Sequence, residues 1–157
     1  MKISQNTNIG SFHVATAVLL IVTVSCLATL TGCGDGRPDR VPVSGQVLID
    51  GKPLTYGTVR VIPQNARAAT GTIQPDGSFK LTTFEDGDGV VPGEHVMVID
   101  AGNQISQTQM KWYAPKRYAK PQTSGQKLPI DKSTDSLKIK LTWKGSPHNG
   151  PFVERVN

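Results

Sequence analysis

The chain has 157 residues, with 17 Lys and Arg against 12 Asp and Glu, a formal net charge of +5. That length supports about one small domain with a single core. Only 2 cysteines occur, which excludes a multiply bridged disulfide framework.

The first thirty-odd residues read as a leader outside the fold. Lys2 gives a weakly positive start, and "VATAVLLIVTV" (Val14–Val24) is an apolar run of signal-peptide length. An uncleaved membrane helix is the alternative, but Val14–Leu30 is short against the ~20 residues needed to span and carries several Thr and Ser. The run ends in "LTGC", Leu30–Cys33, which resembles the bacterial lipoprotein lipobox. The resemblance implies that Leu30 and Gly32 serve peptidase recognition. It also implies that Cys33 is acylated and becomes the first mature residue. Cys26, in "TVSC", is a second candidate, but it lacks a leucine three residues before it. Loss of the leader removes Cys26 and leaves Cys33 with no cysteine partner, a state that acylation explains.

Residues 1–32 are therefore expected to be signal peptide, and 33–42 a lipidated cysteine and flexible tether, "GDGRPDRVP" following Cys33. Gly34 after the cysteine favours the outer membrane by the usual sorting pattern. Nucleic acid is a poor partner for such an exported chain. Charge is uneven along the remainder. Residues 34–110 carry a net −3 and residues 111–144 a net +7, so the basic portion suits anionic lipid or polysaccharide.

After the leader no sustained 3.6-residue apolar period appears, and short β-rich runs alternate with turn residues. "VPVSGQVLID" puts Val43, Gly45, Val47 and Ile49 on one face, and "DGKP" turns the chain, since Asp-Gly accepts the positive φ of a hairpin turn. In "TVRVIP", Val59 and Val61 alternate with Thr58 and Arg60, and Pro63 ends the pairing. "ATGTIQPDGSFKLTT" reads as a hairpin of Thr70–Ile73 and Ser78–Thr82, with Phe79 and Leu81 inward. "EHVMVIDA" is apolar on both faces and is expected to be central and covered. "QKLPID" is a short strand. "SLKIKLTWK" closes the domain with Leu137, Ile139, Leu141 and Trp143 inward and Lys138, Lys140, Thr142 and Lys144 outward. A lysine row of this kind also protects an edge strand from pairing with another chain.

About seven strands over roughly 100 residues predict an all-β, immunoglobulin-like (prealbumin-like) sandwich at 43–144. The tail at 145–157, rich in Gly, Pro and Asn, reads as irregular.

The ordered turns carry a further likeness: Gly45, Asp50-Gly51, Pro53 and Gly57; then Gly71, Asp76-Gly77 and Phe79; then Gly87, Gly89 and Pro92-Gly93. Together with "RYAKPQTSG" and "LKIKL", over about Val41 to Leu141, they resemble the carboxypeptidase regulatory-like, or transthyretin-like, β-sandwich domain. More narrowly, the chain is similar to the small single-domain lipoproteins of planctomycetes. The resemblance implies a fold and is nearly silent on activity, because this sandwich carries many roles. The transthyretin-like hydrolases use a histidine and arginine cluster and a C-terminal tetrapeptide that this chain, ending "VERVN", lacks.

Two stretches remain as candidate sites. "FEDGDGVVPGEH" (Phe84–His95) is dense in carboxylates, but counted from Asp86 as a calcium loop it has Val90 at the fifth position and Met97 at the twelfth, where ligands are needed. It reads as a tight turn, with Glu85, Asp86 and Asp88 as a weak alternative calcium site. His95 and His148 form no zinc spacing, and no nucleophile elbow occurs. "MKWYAPKRYAKPQTSGQK" interleaves Trp112, Tyr113 and Tyr118 with Lys116, Arg117 and other cations. Aromatic faces and cations suit sugars and acidic groups; the plainer reading is that Tyr118 and Trp112 cover one end of the sandwich. In the planctomycete lipoproteins the matching Pro-x-x-Tyr loop looks structural, which the resemblance carries to Pro115–Tyr118.

The expectation is a non-catalytic, lipid-anchored protein facing the periplasm, with no cofactor and no metal. Its sandwich would bind or scaffold an envelope protein or polysaccharide. A purely structural envelope lipoprotein and a calcium-dependent accessory of an envelope enzyme or transporter are the alternatives.

Overall fold

In a computed structural model that describes residues 36–156, the β-rich pattern becomes eleven strands among the described residues. They are β1 (Val43–Ile49), β2 (Lys52–Pro53), β3 (Thr58–Pro63), β4 (Ala69–Thr72), β5 (Ser78–Lys80) and β6 (Gly93–Asp100). Then come β7 (Gly102–Ser106), β8 (Gln109–Trp112), β9 (Gln126–Ile130), β10 (Thr134–Leu141) and β11 (Phe152–Arg155). The protein is all-β, as its patterning requires. Leu30, Gly32 and Cys33 lie outside the described residues.

The seven expected strands are β1, β3, β4, β5, β6, β9 and β10, and they make two sheets. One is built on β1, which pairs β10 in parallel and β2 and β5 antiparallel. The other runs β4-β3-β6-β9 and is antiparallel throughout. Inward residues of both sheets meet in one core: Val43, Val47, Phe79, Leu81, Ile139 and Leu141 from the first, Val59, Val61, Met97, Ile99 and Ile130 from the second. Full burial of one such side chain contributes about 1.5–3 kcal/mol, so this shared core defines the sandwich.

Local chemistry sets the joins. Asp50 at φ 48° and Gly51 at φ 80° form the β1–β2 turn, and the Asp50 carboxylate accepts bonds from Thr142 Oγ1 (2.6 Å) and the Trp143 N–H (3.2 Å). The Thr142 bond, then the Trp143 bond, hold that carboxyl below its ordinary value. Gly45 sits where β1 and β10 pair, and a Cβ there would meet the Leu137 carbonyl.

Three expectations need correction. The hairpin at 70–82 is divided: β4 joins β3 and β5 joins β1, so the Pro75–Ser78 turn carries the chain from one sheet to the other. Paired bonds between Thr70 and Thr82 stitch that corner. The last core strand ends at Leu141, although Trp143 beyond it stays buried. The tail is not irregular throughout. β11 pairs β8, which pairs β7, giving a third sheet at the end where β6 terminates.

Between β8 and β9 a 3-10 turn (Lys116–Ala119) and one α-turn (Pro121–Ser124) pack on β6. β6 is central, between β3 and β9, and Val98 is buried as well as Met97 and Ile99.

His95 in β6 is 2% exposed, and neither ring nitrogen finds a hydrogen-bond partner among the described residues. An unpaired buried polar group costs about 1–3 kcal/mol. His95→Leu, close in volume, is therefore expected to stabilise the domain by about 1 kcal/mol and raise Tm by about 4 °C. A fall in Tm by thermal melting would show that the imidazole is bonded in solution.

Candidate functional site

The acidic loop settles into a turn organised by one carboxylate. Asp88 accepts the N–H groups of Thr83 (2.7 Å), Phe84 (3.0 Å) and Glu85 (3.1 Å), and pairs with Arg40 at 3.0 Å. Burial pulls its pKa up, but the bonds from Thr83, Glu85 and Phe84 with the Arg40 charge outweigh it and hold the carboxyl below its ordinary value. Arg40 and Arg67 also lie over the Phe84 ring, at 5.0 and 5.2 Å from its centroid. Val41 and Val90 exchange backbone bonds, so the chain enters the domain pinned to this loop. Glu85 and Asp86 are exposed. Among the described residues no group of three or more His, Cys, Asp or Glu is placed to share a metal ion.

The aromatic and basic stretch behaves differently. It forms β8 and the 3-10 turn at the opposite end of the sandwich, because β8 leaves the end of β6 through β7 and the turn returns over β6. Tyr118 is 5% exposed. Its hydroxyl accepts the Thr142 N–H and an Arg117 Nη2 hydrogen, each at 3.2 Å. Arg117 Nη2 also donates to the carbonyls of Thr142 (2.5 Å) and Lys144 (2.9 Å). These two residues clamp the chain that follows β10, whose carbonyls have left the sheet.

Trp112 lies over Gly102 across the β7–β8 pair, and its indole N–H donates to Glu154 at 2.8 Å. Lys116 forms an ion pair with the other oxygen of Glu154. Lys116, then Trp112, hold the Glu154 carboxyl below its ordinary value. Tyr113 points elsewhere, packing on Tyr56 with centroids 5.0 Å apart and covered by Lys111.

Between the 3-10 turn and the tail lies a cleft of about 350 Å³, walled by Lys116, Arg117, Gly145, His148, Phe152 and Glu154 among others. His148 stacks on Phe152 with centroids 3.7 Å apart and planes 14° apart, and Phe152 meets buried Trp143 edge-on at 6.2 Å. Of the expected ligand-binding residues, Lys116 and Arg117 line this cleft and Trp112 reaches it through Glu154. Tyr113 and Tyr118 do not line it. His148, Phe152 and Glu154 were not expected. No periodic signal marks them, since Phe152 and Val153 are both apolar and Glu154 and Arg155 both charged.

Comparison with protein-family models, with curated proteins and with solved structures found no match.

Proposed function

We propose that the chain is a non-catalytic envelope protein, anchored by acyl groups on Cys33. Its sandwich serves as a binding module for an envelope polysaccharide or protein. The observation that carries this reading is the cleft between Lys116–Arg117 and the tail. It joins a flat aromatic stack to Arg117, a cation held by backbone carbonyls, at the end of the domain away from Val41. The finer likeness to carboxypeptidase regulatory-like domains is supported by the seven strands shared between two sheets over one core. The anchor rests on the "LTGC" sequence alone.

The purely structural alternative draws on the Tyr118–Arg117 clamp, which gives part of the basic segment a packing role. Cross-linking in living cells, then purification of the tagged chain and mass spectrometry, separates the two. One dominant partner, reduced in His148→Ala, supports the binding module. A diffuse spread of envelope proteins, unchanged in that variant, supports the structural role. In the same cells Cys33→Ala is expected to appear in the soluble fraction or as uncleaved precursor. A Cys33→Ala chain that matures and stays membrane-bound would overturn the anchor.

A further inference from the structure

The cleft holds two features that together select a ligand chemistry. The first is a plate. His148 is exposed, stacked parallel on Phe152, which is itself braced edge-on by buried Trp143. One face of the imidazole is thus covered by Phe152, which packs on the core. Such planar rings stack on the apolar faces of sugar rings.

The second is a fixed cation. Arg117 is anchored through Nη2 by the Thr142 and Lys144 carbonyls. Nη1 is on the Gly145 side, 3.9 Å from the position a Gly145 Cβ would take, in the wall of the cleft. A guanidinium held in place suits a planar carboxylate better than a mobile lysine does. The opposing carboxylate, Glu154, is already paired with Lys116, so it does not cancel Arg117. The volume, about 350 Å³, lies at the lower end of small-ligand sites.

We propose that this cleft binds a carboxylated sugar unit of an envelope polysaccharide, its ring against His148 and its carboxylate on Arg117. The proposal rests on the binding-module reading and specifies its ligand. A polysaccharide is favoured over lipid headgroups because the His148–Phe152 stack offers a planar face for a ring beside the cation.

The test is calorimetric titration of the full-length chain, in detergent, with trigalacturonate and with its methyl ester. The acid is expected to bind, and the ester to bind about tenfold more weakly, because it lacks the charge Arg117 meets. His148→Ala is expected to weaken the acid by about tenfold at unchanged Tm, and His148→Phe to retain it. Absence of binding, equal binding of acid and ester, or unchanged affinity in His148→Ala would each overturn the proposal. If the sugar fails while a single cross-linked partner is lost in His148→Ala, the ligand assignment falls and the binding module stands. If both fail, both fall.

Discussion

Tyr118→Ala is expected to lower the unfolding free energy by about 3–5 kcal/mol, the range for removing a large buried aromatic. The ring is in the core cluster, so truncation leaves a cavity. It also strips the Thr142 N–H of its acceptor and removes one of the three acceptors that the two Nη2 hydrogens of Arg117 share. Tyr118→Phe separates these effects. It keeps the ring and loses only the hydroxyl, and is expected to cost about 1–2 kcal/mol. Urea unfolding with an unchanged m-value measures both. If the two variants are equally stable, the ring contributes no packing and the basic loop is not part of the core. The comparison also bears on the cleft, because the clamp that Tyr118 completes positions the wall carrying Gly145 and His148.

Asp88→Ala is expected to destabilise by about 2 kcal/mol, since three backbone donors lose one shared acceptor. The Tm shift should be about 8 °C downward. The substitution also changes the response to acid. The folded-state pKa of Asp88 is depressed, so its contribution is fully present above the unfolded value of about 4 and is lost as pH falls through the folded value. Chemical unfolding between about pH 6 and 2 should therefore show a shallower loss of stability in Asp88→Ala than in the parent. Parallel curves would mean that the carboxylate bonds are not maintained in solution. Asp50 and Glu154, also depressed, keep some acid sensitivity in the variant.

The fold was legible where burial is one-sided. Val59 and Val61, Phe79 and Leu81, Ile139 and Leu141 alternate because one face of each strand meets the core. That periodicity is what a sequence displays. The Asp50-Gly51 turn was legible for a different reason, as few other pairs adopt positive φ at both positions. β7 and β8 were missed because they form a small sheet outside the sandwich, rich in Gln, Asn and Ser, with exposed residues such as Gln104, Ile105 and Gln109. β7 has no apolar face, and β8 alternates Met110 and Trp112 with Gln109 and Lys111 over only four residues, too short a run to stand out.

The candidate site was legible only in half. Lys116 and Arg117 stood out as a basic run, but Trp112, Tyr113 and Tyr118 resembled one aromatic cluster. Trp112 ends β8 beside Gly102 and Glu154, Tyr113 beyond the strand packs on Tyr56, and the 3-10 turn drives Tyr118 inward. The other wall, His148 to Glu154, lies across a fold-back that depends on β11 finding β8. A pairing between segments about forty residues apart leaves no local trace in the sequence, as the Trp112–Glu154 bond shows at a separation of 42.

The parallel pairing of β1 with β10 has a kinetic consequence. Val43 aligns with Thr134 and Ile49 with Leu141, so the first core strand completes its ladder only with the last. Such distant contacts must close a long loop before any of their stabilisation is realised, which places folding in the slow, millisecond-to-second class of β-sandwiches. A chain emerging from a ribosome or a pore with its N terminus first cannot close this sheet until nearly all of it has emerged. Until then, β1 presents an open edge that a chaperone can hold.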